Sequence, residues 1–257
     1  MASGLDATLA QTGAYCRDRL EGIALSAAPA TKEDQEVITL FFGTVGGDLG
    51  CTQCLKVRWV LEYLGLPYRL VCIDLYDNKP EWYTELSPAG TTPSAWVRGD
   101  YCPESGDVIA AALAVAAADE TSAGAGGRAF AARSAGSEIE PLETGLTGGV
   151  FGVLLSDPET DGEHETKCDK LRADLGAIDA VLRASGPFMC GERPGPADAA
   201  AILHSVLLLA AEQLVPSLSL SSSYPSLAWW MESIRKDEVY RRATAGHITL
   251  PEALNTV

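Results

Sequence analysis

The chain has 257 residues, 47% of them hydrophobic and 21% charged, a composition that is typical of a globular protein with a substantial core. A formal net charge of −16 repels nucleic acid and anionic lipid surfaces, so we expect no nucleic-acid partner. No apolar run reaches the ~18 residues of a transmembrane helix, so we expect no membrane span.

The seven cysteines are too few and too scattered for a disulfide framework at this length. Their odd number leaves at least one free thiol, which favours a reducing compartment. Residues 1–36 are predicted to be an acidic extension, because they lack the apolar core of a secretory signal and carry six carboxylates where a transit peptide is poor in them. We therefore expect a cytoplasmic protein, with the plastid as the alternative.

The first predicted elements are a strand, a turn and a helix. Residues 37–42 form an apolar strand-like run, Gly43 to Gly50 contain four glycines, and helical periodicity then continues to a predicted C-cap at Gly65. A Cys51-Thr-Gln-Cys54 motif opens this helix. Unpaired N–H groups and the positive end of the macrodipole at a helix N-terminus stabilise an anion, so the pattern predicts that Cys51 is a nucleophilic thiolate.

Other interpretations of the cysteine pair are a zinc half-site or two inert core thiols. Because no second C-x-x-C exists and the three histidines are far apart in sequence, we expect no metal. Cys54 is open to two interpretations, as a resolving thiol or as a small apolar residue.

The next elements complete a thioredoxin-like α/β domain over residues 37–118. A strand is predicted at 67–75, a short helix at 79–86, and two strands at 94–97 and 100–102 around a two-residue turn at Arg98-Gly99. A closing helix follows at 108–118. The order β-α-β-α-β-β-α is that of thioredoxin.

The remainder is predicted to be helical. Residues 119–141 are rich in Ala, Gly and Ser and are interpreted as a linker or inserted loop. Residues 142–257 are predicted to be an all-α domain, with an amphipathic helix at 163–185, an apolar helix at 199–214 that begins after Pro196-Ala-Asp198, and a helix from Tyr224.

These motifs, in this order, resemble the glutathione transferase superfamily and within it the plant-type dehydroascorbate reductases. The resemblance covers nearly all of residues 37–245. It rests on the strand-loop-Cys-x-x-Cys-helix opening and on the blocks Leu66-Pro-Tyr68, Asn78-Lys-Pro-Glu-Trp82, Ser87-Pro-Ala-Gly90, Thr92-Pro93, Pro103-Glu-Ser-Gly-Asp107 and Gly186-Pro-Phe-Met-Cys-Gly-Glu192.

The resemblance implies an α/β thioredoxin-like domain followed by an all-α domain, with glutathione as co-substrate. It implies that Pro93 is a cis-proline and that the Thr92 backbone pairs with glutathione, while Lys79 reaches the glycine end of the tripeptide. Ser105, together with Glu104 or Asp107, would receive the γ-glutamyl group at a helix N-terminus. Asp198 matches the N-capping aspartate of the core helix and is assigned to folding.

The chain also departs from the family pattern. Thr52-Gln53 replaces the usual Pro-Phe between the cysteines, and Phe41 and Phe42 stand where the family has a lysine. The implied activity is glutathione-dependent reduction of dehydroascorbate through Cys51 and a glutathione mixed disulfide. Alternatives are an omega- or lambda-like thiol transferase and a non-catalytic subunit of a larger assembly. We expect a monomer, as the resemblance favours.

Overall fold

A computed structural model describes residues 37–45, 49–75, 79–121, 124–133, 139–158, 161–199, 207–209, 211–213 and 215–246. The predicted extension 1–36 lies outside this part of the chain. Two compact units are present. Within the described residues, one unit takes 37–129 with 242–246, and the other takes 130–241.

The sheet of the first unit has the predicted thioredoxin order. Strand β1 (Ile38–Val45) pairs in parallel with β3 (Tyr68–Asp74) and antiparallel with β4 (Ser94–Val97), and β4 pairs antiparallel with β5 (Asp100–Cys102). Arg98 and Gly99 both have positive φ, 51° and 91°, as a type I′ hairpin turn requires. The strands and the hairpin turn are therefore confirmed. The bounds of the two hairpin strands match the prediction, and the ends of the other two strands shift by one to three residues.

One prediction near the cysteines is wrong. Gly43 was assigned to the turn after the first strand, but β1 continues to Val45, and a two-residue strand β2 (Leu49–Gly50) pairs antiparallel with it. Glycine has a low strand propensity, which is why the sequence predicts a turn here, yet the ladder with β3 holds Gly43 opposite Ile73.

Strand β1 is mostly apolar because both faces of the sheet are covered. Phe42 is fully buried, and Phe41 packs on Trp82 and Tyr83 with ring centroids 5.9 and 5.5 Å apart. Val71 and Ile73 of β3 belong to the same apolar cluster. The two phenylalanines that replace the family lysine are thus core residues.

The helices of the first unit are α1 (Thr52–Leu64), α2 (Glu81–Leu86), α3 (Ser105–Ala118) and α4 (Ala125–Ala131), the last of which crosses the boundary between units in sequence. Gly65 has φ 65° and its N–H donates to Glu62 O, so the predicted C-cap of α1 is confirmed. Helix α3 begins at Ser105, three residues before the predicted start. Helix α4 lies inside residues 119–141, which were interpreted as a linker or loop.

The second unit is helical. It contains α5 (Ile139–Leu154), α6 (His164–Ser185), α7 (Leu220–Ser223), α8 (Pro225–Lys236) and most of α9 (Glu238–Thr244), with short 3₁₀ turns at Pro196–Asp198 and Pro216–Leu218. Helix α6 packs against α5 and α8, and its apolar stripe is buried as predicted. The apolar helix predicted at 199–214 lies mostly outside the described residues.

Candidate active site

Cys51 lies at the junction between the sheet and helix α1. It is the N-cap residue of α1, with an extended backbone at φ −61° and ψ 125°. Its N–H donates to Gly43 O at 2.9 Å, and its carbonyl accepts from Leu55 N–H at 3.0 Å. The thiol is partly exposed. The first turn of the helix and the strand β1 together fix the position of this sulfur.

The surroundings of Cys51 favour its thiolate. Its pKa is lowered from 9.0 to about 6, first by a hydrogen bond from the Cys54 side chain. The N–H groups of Cys54 and Gln53 and a hydrogen bond from Thr92 lower the pKa further, while burial opposes them. At neutral pH about nine-tenths of Cys51 is then ionised. The predicted thiolate therefore has identified donors around it.

Cys54 has the opposite character. Its side chain is fully buried, and the Gly43 N–H donates to its sulfur at 3.2 Å. Burial raises the pKa of Cys54 well above 9.0, and the neighbouring Cys51 raises it further. Because Cys54 stays protonated, it can donate its S–H to the Cys51 thiolate.

The loop that faces Cys51 carries a cis peptide bond between Thr92 and Pro93, as the family resemblance implies. The sulfur of Cys51 lies 3.9 Å from the carbonyl oxygen of Thr92. A Cβ atom added to Gly43 would lie 2.1 Å from Thr92 Oγ1, closer than any real contact. Only glycine lets the strand β1 approach this loop so closely, and sequence reasoning did not single out Gly43 for that role.

Two side chains hold the same loop from the other side. Lys79 Nζ donates to Gly90 O at 2.8 Å, and the hydroxyl of the buried Tyr83 donates to Thr91 O at 2.6 Å. Two successive carbonyls of the loop are therefore held by side-chain donors, one from Lys79 and one from helix α2. Tyr83 was not predicted as a site residue, and its place within an aromatic block gave no signal for this contact.

The predicted γ-glutamyl site residues share the first turn of helix α3. Glu104 is the N-cap, Ser105 the first helical residue, and Asp107 the third. Ser105 is partly exposed, and the two carboxylates are exposed. Within the described residues, the Glu104 side chain accepts no capping hydrogen bond from the first N–H groups of α3. All three residues can therefore act at one helix N-terminus.

Asp198 occupies a different place, in the second unit. Its buried carboxylate accepts from the N–H groups of Met189 (2.8 Å), Cys190 (3.4 Å) and Gly195 (2.9 Å), and from Trp230 Nε1 (2.8 Å). These bonds tie a 3₁₀ turn, a preceding loop and helix α8 together. A structural role for Asp198 follows from them.

The described ranges contain no group of three or more His, Cys, Asp or Glu side chains that could hold a metal ion. Within the same ranges, no helix has the length and apolar character needed to cross a bilayer.

Comparison with known proteins finds a family model that matches part of the first unit. Residues 50–114 match the family model described as "Glutathione S-transferase, N-terminal domain". Residues 50–114 are thus similar to glutathione S-transferase N-terminal domains. The family resemblance read from the motifs is confirmed.

Two plant relatives match more of the chain. Glutathione S-transferase DHAR3, chloroplastic, of Arabidopsis thaliana is 28% identical over 198 residues, which are 76% of this chain and 69% of that protein. A probable glutathione S-transferase DHAR2, chloroplastic, of Oryza sativa subsp. japonica is 31% identical over 176 residues, which are 68% of this chain and 58% of that protein. The matched segment therefore covers 69% of the first relative and 58% of the second.

Solved structures share the fold. A dehydroascorbate reductase of Chlamydomonas reinhardtii superimposes on this chain with a TM-score of 0.65 at 21% sequence identity. The superposition covers 82% of this chain and 94% of the reductase. A Tau class glutathione S-transferase of mango superimposes with a TM-score of 0.66 at 16% sequence identity, and the superposition covers 86% of this chain and 97% of the mango protein. The chain has the glutathione transferase fold, and the predicted fold class is confirmed.

Proposed function

We propose that this chain is a glutathione-dependent dehydroascorbate reductase with Cys51 as its nucleophile. The observation that carries the proposal is the Cys51 thiolate, with its pKa at about 6, at the N-terminus of α1 beside the Thr92-Pro93 loop. Relatives named glutathione S-transferase DHAR support a glutathione-dependent enzyme. The resemblance to the plant-type dehydroascorbate reductases favours dehydroascorbate as its second substrate.

The first unit has a suitable group for each part of glutathione. Its cysteinyl backbone would pair with Thr92, which places its sulfur next to Cys51. The γ-glutamyl carboxylate would take the N–H groups at the start of α3, and its ammonium would meet Glu104 or Asp107. Lys79, whose ammonium already lies at the Gly90 carbonyl, would serve the glycine carboxylate.

The reaction then proceeds in steps that balance. The Cys51 thiolate adds to a carbonyl carbon of dehydroascorbate, and the carbonyl oxygen takes a proton. A glutathione thiolate attacks the Cys51 sulfur and breaks the new C–S bond, whose electron pair leaves with ascorbate. A second glutathione thiolate attacks the resulting mixed disulfide, releases oxidised glutathione and returns Cys51. One dehydroascorbate is reduced by two electrons, and two glutathione thiols are oxidised.

The test is glutathione-dependent ascorbate formation by the wild type, Cys51→Ser and the matched variant Cys54→Ser. We expect turnover in the wild type, near-complete loss in Cys51→Ser and substantial activity in Cys54→Ser. Activity of Cys51→Ser close to that of the wild type would refute the proposal.

An assay with a second substrate distinguishes the proposed activity from its two alternatives. If the wild type reduces a glutathione–cysteine mixed disulfide but not dehydroascorbate, the thiol transferase alternative replaces the proposed activity and Cys51 keeps its role. Glutathione binding without turnover of either substrate would instead support the non-catalytic subunit.

We also propose a plastid location, because the two plant relatives described above are named chloroplastic. The cytoplasmic location and the monomeric state stay predictions. Expressing the full-length protein with a C-terminal fluorescent tag in an algal or plant cell tests the plastid proposal, and diffuse cytosolic fluorescence would contradict it.

A further inference from the structure

The hydroxyl of Thr92 is a buried polar group with no part in holding the fold together. Its oxygen is almost inaccessible to water and forms no well-aligned hydrogen bond with any described residue. Buried hydroxyls are normally hydrogen-bonded, because an unpartnered one destabilises the folded state. In a reactive site, hydrogen bonds are often poorly aligned until the reaction begins. The Thr92 hydroxyl therefore calls for an acceptor that the reaction creates.

The position of this hydroxyl is fixed by strand β1. A Cβ atom added to Gly43 would lie 2.1 Å from Thr92 Oγ1, so the oxygen lies against the backbone of this glycine. The Gly43 carbonyl accepts from Cys51 N–H at 2.9 Å, and Gly43 N–H donates to Cys54 Sγ at 3.2 Å. The hydroxyl thus lies where both cysteines are joined to β1, and it lowers the pKa of both thiols.

Thr92 presents two different oxygens to Cys51. Its carbonyl oxygen lies 3.9 Å from the Cys51 sulfur, where it can accept the S–H of the thiol. After Cys51 has lost its proton, the negative end of this carbonyl faces a negative sulfur. A carbonyl oxygen cannot donate, whereas a hydroxyl can. The hydroxyl is therefore the group of Thr92 that suits the thiolate.

The other groups that favour the Cys51 thiolate are also neutral donors. They are the side chain of Cys54 and the N–H groups of Gln53 and Cys54. Among the described residues that shift the pKa of Cys51, Cys54 is the one titratable side chain, and none carries a positive charge. Because no cation contributes, the loss of one neutral donor should have a measurable effect.

We propose that the Thr92 hydroxyl donates to the Cys51 sulfur whenever that sulfur is a thiolate, and so assists Cys51 both as nucleophile and as leaving group. The second role belongs to the last step of the proposed reaction. There, a glutathione thiolate attacks the glutathione sulfur of the mixed disulfide, the bond to Cys51 breaks, and its electron pair stays on Cys51. A thiolate that is stabilised leaves faster. This inference rests on the proposed function for the role of Cys51, but not for the identity of the second substrate.

The first test is the pH dependence of Cys51 alkylation by iodoacetamide, which needs neither glutathione nor dehydroascorbate. Thr92→Val removes the hydroxyl and keeps the branched shape, whereas Thr92→Ser keeps the hydroxyl and removes the methyl group. In Thr92→Val the midpoint should move up by about 0.5 to 1 pH unit, because the thiolate loses one donor. Thr92→Ser should keep the wild-type midpoint, as should Thr91→Val, the control at the exposed neighbouring threonine.

The second test measures Cys51 as the leaving group. Each protein is loaded with oxidised glutathione to form the mixed disulfide, and excess glutathione then removes the glutathionyl group, as followed by mass spectrometry. Attack on the Cys51 sulfur only regenerates the same adduct, so its loss reports attack on the glutathione sulfur. Thr92→Val should lose the adduct about two- to threefold more slowly than the wild type, and Thr92→Ser at the wild-type rate.

Circular dichroism establishes that each variant is folded. If the valine methyl against Gly43 prevents folding, Thr92→Ala removes the hydroxyl without adding an atom and decides the outcome. Wild-type midpoints in the variants without the hydroxyl would overturn the proposal. An equal shift in Thr92→Ser would also overturn it, because the effect would then come from packing. Wild-type rates of adduct loss would refute the role in the last step.

Failure of the proposed function gives a different result. A wild-type midpoint near the ordinary 9.0 would refute Cys51 as the nucleophile and this proposal together. Absence of dehydroascorbate turnover beside the expected shifts in Thr92→Val would refute the proposed activity alone.

Discussion

Replacing Cys54 by alanine is expected to raise the pKa of Cys51. The lowering from 9.0 to about 6 corresponds to ~4 kcal/mol in favour of the thiolate, and the hydrogen bond from the Cys54 side chain is its largest cause. Since a hydrogen bond to a charged group contributes ~1.5–3 kcal/mol, Cys54→Ala should raise the pKa of Cys51 by about 1 to 2. The ionised fraction at pH 7 would then fall from about nine-tenths to between about one half and one tenth.

The assay is the pH dependence of Cys51 alkylation by iodoacetamide, read by mass spectrometry of the Cys51 peptide. Cys54→Ser retains a hydroxyl donor, so its alkylation profile should stay close to that of the wild type. Cys102→Ala is the control, because it removes another buried thiol that is not among the causes of the lowered pKa.

Two results would refute this reasoning. If Cys54→Ala is alkylated with the wild-type pH profile, the backbone N–H groups alone set the pKa of Cys51. If the serine and alanine variants raise the pKa equally, the side chain at position 54 acts through its sulfur and not as a hydrogen-bond donor.

Three further predictions concern stability, each measured by urea unfolding. The pKa of Cys51 is lower in the folded state (about 6) than its ordinary 9.0, so the stabilisation it gives is complete above pH 9 and is lost as the pH falls through 6. The free energy of unfolding of the wild type should therefore rise between pH 6 and 9 relative to that of Cys51→Ser. If the two free energies depend on pH in the same way, Cys51 is not a stabilised thiolate. Asp198→Ala should lose at least ~3 kcal/mol because it leaves four N–H donors without their acceptor, three of them buried, whereas the exposed Asp169→Ala should change stability by less than ~0.5 kcal/mol; similar losses in both would refute the assigned role. Gly43→Ala should lose ~1–3 kcal/mol through its clash with Thr92 Oγ1, and adding Thr92→Ala should restore part of the loss; an undiminished loss in the double variant would place the strain elsewhere.

Much of the first unit could be predicted because its local signals agree with its tertiary contacts. The apolar run of β1, the C-cap at Gly65 and the positive-φ turn at Arg98-Gly99 are each dictated by short-range chemistry. The position of Cys51 at the start of α1 followed from the same local pattern.

The features that were not predicted depend on contacts between residues that are distant in sequence. The close approach of Gly43 to Thr92 joins residues 49 positions apart, and nothing near Gly43 announces it. Asp179 gave no signal either, yet its buried carboxylate accepts from the N–H groups of Ser226 and Leu227 at the start of α8, at 2.7 and 3.0 Å. Arg58 falls on the apolar face of α1, where periodicity predicts a hydrophobic residue.

The most direct test of the account is to trap the enzyme intermediate. Wild-type protein is mixed with dehydroascorbate and one equivalent of glutathione, quenched in acid and digested for mass spectrometry. Cys51 should carry a glutathionyl group, and one ascorbate should be released for each glutathionyl group formed. Ascorbate release without modification of Cys51 would contradict the claim that this cysteine is the nucleophile.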